Sequence, residues 1–299
     1  IGNINDETSK RVLNQYEKRP FPAWRNAFDY HKLQKDAYQK INDDIKPNFI
    51  NPSFKSEKLK ILIAGCGTGQ QVLHATPYKN SQITAIELSS SSLAYAQRKI
   101  NEIGINNVGL IQMDILELSL TKQKFDLIEC IGVLHHMKDI DKGLRALLQV
   151  LDVNGFLKLG LYSQKARREI QTARDYIKSK QIEVNEKNIR EFRMSIINGD
   201  LPGLKSFIQQ PLFYTISGVE DLFFHTQEHQ LNLNEIQDMI EKNKLNFHGF
   251  ILPEETKSIY KKYFPEDKVQ TNLQNWAKFE ENYPMTFSGM YNFWVSKSE

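Results

Sequence analysis

The chain has 299 residues, 40% of them hydrophobic, enough for one large domain or for one domain with a sizeable insertion. A formal charge of +3 is small for that length, so no nucleic-acid footprint is indicated. The two cysteines, Cys66 and Cys130, form neither a CxxC pair nor a disulfide framework, which fits a reducing, cytoplasmic setting and speaks against structural zinc; no run of about 18 apolar residues marks a membrane span.

The first residues, Ile1-Gly2-Asn3, are neither an initiator methionine nor a signal peptide, and point either to a piece of a longer protein, with a domain upstream, or to a protein whose start is missing. Residues 1–57 are polar and punctuated by Pro20, Pro22, Pro47 and Pro52, and read as an N-terminal helical cap segment. Asp6-Glu7-Thr8-Ser9 opens a helix carrying Val12, Leu13 and Tyr16, which Pro20 ends. A second amphipathic helix is expected from Tyr30 to Ile45.

From Lys60 the pattern changes to short apolar runs, as expected for parallel strands buried on both faces. They are Lys60 to Ala64, Gln82 to Ile86, Val108 to Met113, Phe125 to Cys130 and Gly155 to Leu161. Helical stretches separate them: Gln70 to Ala75, Ser90 to the stop at Gly104, and one carrying Leu144, Leu147, Leu148 and Leu151. This alternation predicts right-handed βαβ crossovers and a doubly wound sheet. After Tyr162 it stops: residues 163–181 and 185–197 read as charged helices. Strand patterns return at Phe247 to Leu252 and Met290 to Val295. The expected architecture is α/β, Rossmann-like. Its core comprises residues 58–163 and 245–299, and a helical insertion at 164–244 precedes the last two strands.

Gly65, Gly67 and Gly69 follow the first strand, where a sharp turn into a helix lets backbone approach a ligand. The spacing is G-x-G-x-G; position 70, where a dinucleotide fingerprint wants glycine, is Gln70, and no Walker lysine follows, so a ligand without phosphates is favoured. Glu87, before Leu88, ends the second strand, where a carboxylate can accept both hydroxyls of a ribose. Asp114 ends the third, where an acceptor can meet an exocyclic amine; a helix N-cap is the plain alternative for either acid.

The run Ile61-Leu62-Ile63-Ala64-Gly65-Cys66-Gly67-Thr68-Gly69 resembles the first motif of class I S-adenosylmethionine-dependent methyltransferases. Glu87, Asp114-Ile115 and the stretch from Phe125 to Met137 are similar to its later motifs in order and spacing. The resemblance implies a seven-stranded sheet whose last strand, Met290 to Val295, is antiparallel to the rest. It also implies that Gly65, Cys66, Gly67, Thr68 and Gly69 line the methionine and ribose of S-adenosylmethionine and that Glu87 with Leu88 takes the ribose. Asp114 and Ile115 would hold the adenine, and Ile131 and Gly132 would lie beneath the cofactor. A narrower likeness covers Val12 to Trp24, which resembles the QYE-x-x-PYP-x-W segment of bacterial methyltransferases often joined to tetratricopeptide repeats, with Phe21 and Ala23 departing from it. The segments Asp221 to His229 and Thr286 to Trp294 are similar to the same group.

Methyl transfer from a sulfonium needs mainly positioning and exclusion of water, with a base only where the acceptor arrives protonated. His135 and His136, after the fourth strand, are the candidate catalytic residues, against the alternative that they start the next helix and pack. Tyr162 ends the fifth strand and is a candidate substrate contact, or a core-edge aromatic with a wet hydroxyl. Arg167 and Arg168 suit an anionic substrate or a solvated helix face. His225-Thr226-Gln227-Glu228-His229 matches H-x-x-E-H, a zinc pattern that needs a helix and a further ligand; His225, Glu228 and His229 read instead as acceptor-pocket or packing residues, and no metal is expected. Tyr16, Phe21 and Trp24 form a cap over the cofactor or a surface staple. The expected acceptor is a small molecule, with a protein side chain as the alternative and a non-catalytic binding module as the competing class.

Overall fold

The computed structural model describes residues 3–22, 24, 33–51, 54 and 58–298. Seven strands form one sheet: β1 (Leu59–Ala64), β2 (Ser81–Glu87), β3 (Val108–Gln112), β4 (Phe125–Ile131), β5 (Leu151–Leu161), β6 (Leu245–Phe250) and β7 (Tyr291–Lys297). Their order is β3-β2-β1-β4-β5-β7-β6. Strands β1 to β5 pair in parallel, whereas β7 runs antiparallel to both β5 and β6. This is the expected seven-stranded, mostly parallel Rossmann-like sheet.

Both faces of the central strands are sealed. Leu62, Ile128 and Leu159 belong to one apolar cluster, and Ile61, Ile63 and Leu127 to another. A strand buried on both faces has no polar side to present, which is why these runs read as continuously apolar. Helices α3 (Gln70–Ala75), α4 (Ser90–Ile103) and α5 (Ile140–Val150) make the crossovers, with Ser89 and Asp139 accepting backbone N–H groups as N-caps of α4 and α5.

The N-terminal helix α1 (Glu7–Lys18) starts where expected, Asp6 accepting from the amides of Thr8 and Ser9. The second helix, α2 (Ala37–Ile45), is shorter than expected. Its anticipated start at Tyr30 lies outside the described residues, as do Ile1, Gly2 and Ala23; Lys35 is held extended, bridged to Tyr78, with its amide donating to Pro77 O at 2.8 Å. The next helix, α6 (Arg168–Ser179), likewise begins later than expected, because Ser163 bridges to Leu231.

Helix α6, α7 (Glu186–Asn198) and α8 (Ile216–Phe223) enclose an apolar core of their own that includes Ile170, Ile189, Phe192, Phe213 and Phe223. Helix α9 (Leu233–Lys242) does not join it: Leu233, Ile236 and Ile240 pack into the core of the sheet. The separately packed part of the insertion therefore ends before α9, which is a crossover helix leading into β6. Two further helices, α10 (Glu254–Tyr263) and α11 (Leu273–Asn282), lie between β6 and β7 and were not anticipated; Tyr260, Trp276 and Phe279 bury them against the same sheet.

Candidate active site

At the C-terminal ends of β1 to β5 lies a cavity of about 280 Å³, in the crevice where open α/β sheets bind ligands. One wall is the glycine loop. Gly65, Gly67 and Gly69 have φ of +80°, +52° and +90°, a region that disfavours any residue with a Cβ. The space is also closed: a Cβ on Gly67 would stand 2.8 Å from Phe21 O, and one on Gly69 2.9 Å from the Cβ of Ala96.

Glu87 is buried at the end of β2, its Oε2 accepting from the amide of Gly67 and its Oε1 from that of Ser89, both at 3.0 Å. Burial raises its pKa, and those N–H groups oppose the rise by favouring the anion. Asp114 is buried beyond β3. Its Oδ1 accepts from Leu116 N at 3.0 Å, capping a 3₁₀ turn, so it is an N-cap and a cavity residue at once; its other oxygen has no partner among the described residues. Gly65, Cys66, Gly67, Leu88, Ile115, Ile131 and Gly132 line the same cavity, whereas Thr68 and Gly69 stand behind the loop.

Thr68 explains how the N-terminal segment is held. It is fully buried; its Oγ1 donates to Pro22 O at 2.7 Å, and the indole Nε1 of Trp24 donates to the Oγ1 at 3.1 Å. Trp24 thus does not meet the cavity. Its ring is edge-on to Tyr95, on the outer side of the loop, while Phe21 and Pro22 line the cavity instead. Helix α1 spans the opening. Glu17 accepts from the amides of Ser90 and Ser91 at the start of α4, while Arg19 pairs with Glu220 at 2.6 Å and the Gln15 side chain accepts from Thr226 N at 3.1 Å.

The far end of the cavity is lined by Tyr16, His136, Tyr162 and Asp221, from α1, the turn after β4, the end of β5 and α8. Tyr16 Oη donates to Asp221 Oδ1 at 2.9 Å and lies 3.1 Å from His225 Nε2. The peptide groups of Gln227 set both neighbouring imidazoles. Its N–H donates to His225 Nδ1 at 3.2 Å, and its C=O lies 2.7 Å from His136 Nδ1, which must carry the proton there. Burial lowers the pKa of His225 and takes that of His136 to about 4, so both rings are neutral at pH 7. The proton of His225 is then on Nε2, and the lone pair of His136 is on its own Nε2.

The other candidates stand behind this layer. His135 is fully buried, its ring stacked on Tyr162 at 3.7 Å, and neither ring nitrogen has a partner among the described residues. Arg167 lies over Tyr162 at 3.6 Å and is paired with Glu228; Arg168 is exposed on α6. His225, Glu228 and His229 lie in the segment between α8 and α9, not on a helix, and Glu228 is already occupied by Arg167. Among the described residues no group of three His, Cys, Asp or Glu side chains is arranged to hold a metal ion.

Asp221 was not singled out in the sequence. Burial pushes its carboxyl up to about 7, against the Tyr16 hydrogen bond and the charge of Arg167, which favour the anion. The available signal was the acid pair Glu220-Asp221 set between Val219 and the apolar Leu222-Phe223-Phe224. Three carboxylates, Glu87, Asp114 and Asp221, therefore line the cavity, and no Lys or Arg does so among the described residues.

Residues 61–155 match the family model of a methyltransferase domain. An uncharacterized protein of Synechococcus is 30% identical over 210 residues, covering 64% of this chain and 48% of that protein. A malonyl-[acyl-carrier protein] O-methyltransferase of Priestia megaterium is 28% identical over 160 residues, covering 52% of this chain and 57% of the relative. The chain thus spans about half the length of the curated relatives it matches. Among solved structures, PKMT2 from Rickettsia typhi in complex with AdoHcy superposes with a TM-score of 0.65 over 93% of this chain and 55% of that one, at 21% identity. That identity speaks for the fold.

Proposed function

We propose that this S-adenosylmethionine-dependent methyltransferase domain transfers a methyl group to a small, uncharged or cationic acceptor that bears a proton on nitrogen or oxygen. The observation behind the reading is the cavity itself: it joins the glycine loop to the Tyr16, His136, Tyr162 and Asp221 end, and among the described residues it is lined by carboxylates without a cation.

The residues suit the cofactor. Each Glu87 oxygen carries one backbone N–H and keeps a lone pair for a ribose hydroxyl, and the unpartnered Asp114 oxygen can accept from the adenine amine. A bound S-adenosylmethionine supplies a methyl carbon on a positively charged sulfur leaving group. Carboxylates across a low-dielectric cavity favour that cation over its neutral product, and disfavour an anionic acceptor. Val12, Tyr16 and Phe21, brought over the cavity by α1 and the Phe21-Pro22 turn, keep water from the reacting atoms.

A protein side chain is the second reading. A second depression lined by Asp6, Leu116, Lys138 and Lys142 shares Ser9 and Met137 with the main cavity, which leaves an approach for a side chain from outside. A relation to tetratricopeptide-associated enzymes is proposed from the N-terminal motif and the Asp221 to His229 and Thr286 to Trp294 segments, and a cytoplasmic setting from the two free cysteines. No helix among the described residues is long and apolar enough to cross a membrane.

The test is calorimetry with S-adenosylmethionine and S-adenosylhomocysteine, followed by labelled-methyl transfer into an undialysed bacterial extract fractionated by size. Binding of both, with label in the small-molecule fraction, is expected. Label confined to macromolecules selects the second reading, and absence of both binding and transfer overturns methyl transfer altogether.

A further inference from the structure

Within the methyl-transfer reading, we propose that Asp221 is the group that takes the acceptor's proton, and that Tyr16 and His225 hold its carboxylate in position for that step. The argument begins at the backbone of Gln227. Its N–H occupies Nδ1 of His225, which leaves the imidazole proton on Nε2, facing the Tyr16 hydroxyl at 3.1 Å. A hydroxyl that accepts from His225 has its own proton free to donate, and the geometry points that proton at Asp221 Oδ1, 2.9 Å away. The chain of donors therefore runs one way, from peptide to imidazole to phenol to carboxylate. It ends on an acid whose second oxygen has no partner among the described residues and whose side chain lines the cavity.

Of the groups at this end, Asp221 is also the best matched in basicity. A general base works best with a pKa near the working pH. His136 is held at about 4 by burial, whereas Asp221 stands at about 7. The groups facing Asp221 are Tyr16 from α1, Arg167 ahead of α6, Glu220 on α8 itself and Glu228 from the following segment; Tyr16 and Arg167 favour its anion and the two acids oppose it. Tyr162 also lines this end of the cavity, its hydroxyl kept protonated by burial.

The step balances simply. The proton on the acceptor's nitrogen or oxygen moves to the free oxygen of Asp221, and the freed pair forms the bond to the methyl carbon. The pair of the broken carbon–sulfur bond stays on sulfur, giving S-adenosylhomocysteine and the protonated acid. An acceptor amine that starts as an ammonium keeps a positive charge in the methylated product; an alcohol becomes a neutral ether.

The experiment pairs a direct titration with a rate. Protein carrying ¹³C-carboxyl aspartate, saturated with S-adenosylhomocysteine, is titrated by NMR. One carboxyl, absent from Asp221→Asn, is expected to titrate near neutral pH. In parallel, labelled-methyl transfer into the undialysed extract is expected to rise through the same pH range, and Asp221→Asn to lower it by about 100-fold or more while S-adenosylhomocysteine affinity holds. If Asp221→Asn fails to fold, Tyr16→Phe decides. Loss of the donated hydrogen bond moves the midpoint of both curves upward, by roughly one pH unit, which an acceptor's own ionisation or a packing defect would not do. Transfer by Asp221→Asn within twofold of the parent, or curves that Tyr16→Phe leaves in place, overturns the assignment of Asp221. Absence of both cofactor binding and transfer in the parent protein instead removes the methyl-transfer reading on which it rests.

Discussion

Arg167 grips Glu228 through two parallel hydrogen bonds of 2.8 Å, and the two side chains are only 7% and 1% exposed. The guanidinium lies 3.6 Å from the centre of the Tyr162 ring and the His135 imidazole 3.7 Å from it. Two groups that close must occupy opposite faces, so Tyr162 is clamped between them. The ion pair thus serves the cavity wall from behind, and Arg167, read from the sequence as suited to an anionic substrate or to a solvated helix face, is instead paired inside the protein.

Breaking that pair from one side should be costly. Glu228→Ala leaves Arg167 buried without its counter-ion and is expected to lower stability by about 3–5 kcal/mol. Urea unfolding of the variant checks this. The double variant Arg167→Met with Glu228→Leu should recover part of the loss, since Arg167 is then not left unpaired, while Arg174, 3.6 Å from Glu228, still loses its counter-ion.

Glu87 offers a test of the ribose assignment. Glu87→Ala removes the acceptor for two backbone amides and for the proposed hydroxyl contacts, and should weaken S-adenosylhomocysteine binding by about 1–3 kcal/mol in calorimetry. Unchanged affinity would mean that the ribose is held elsewhere.

Gly69 combines a φ of +90° with Ala96 on α4 at 2.9 Å from a notional Cβ. Gly69→Ala should therefore destabilise the domain by about 1–3 kcal/mol, read from its denaturation midpoint. Gly104, equally left-handed at +76° but with nothing within 4 Å of a Cβ, supplies the control: Gly104→Ala bears the backbone strain without the clash and should cost less.

The hold of α1 on α4 should be acid-sensitive. Burial by itself raises the Glu17 carboxyl, but hydrogen bonds from the Ser91 and Ser90 hydroxyl and amide groups outweigh it and hold the pKa at about 2, against 4.5 ordinarily. A depressed carboxylate stabilises above its unfolded pKa, and that contribution fades as pH falls from about 4.5 through 2. Hydrogen-exchange protection of the Ser90 and Ser91 amides should decline across this window. In Glu17→Gln it should be lower at pH 6 and indifferent to the same acidification.

Much of the sheet was legible because a doubly buried strand must be apolar along its whole length and a helix must be amphipathic. The pattern failed where pairing overrode it. Lys35 and Ser163 sit in segments that read as helix, yet each is drawn into a bridge, with Tyr78 and Leu231, that shortens the helix following it. Helices α10 and α11 were missed because their large aromatics, Tyr260, Trp276 and Phe279, are spread among charged residues that mask the apolar face.

By itself the sequence determined the half of the cavity built from consecutive strand ends. The glycine turn, Glu87 and Asp114 follow from covalent succession, because each lies directly after its own strand and parallel pairing carries all three to one edge. Only the tertiary structure decided the other half. Tyr16 and Asp221 meet across 205 residues, and the basicity of Asp221 and of His136 is a property of burial that neither residue possesses in an open chain. His225, whose motif matches a zinc pattern only formally, takes the role of hydrogen-bonding partner to the Tyr16 hydroxyl, 3.1 Å away. That role depends on where one peptide group, at Gln227, comes to rest when the insertion packs.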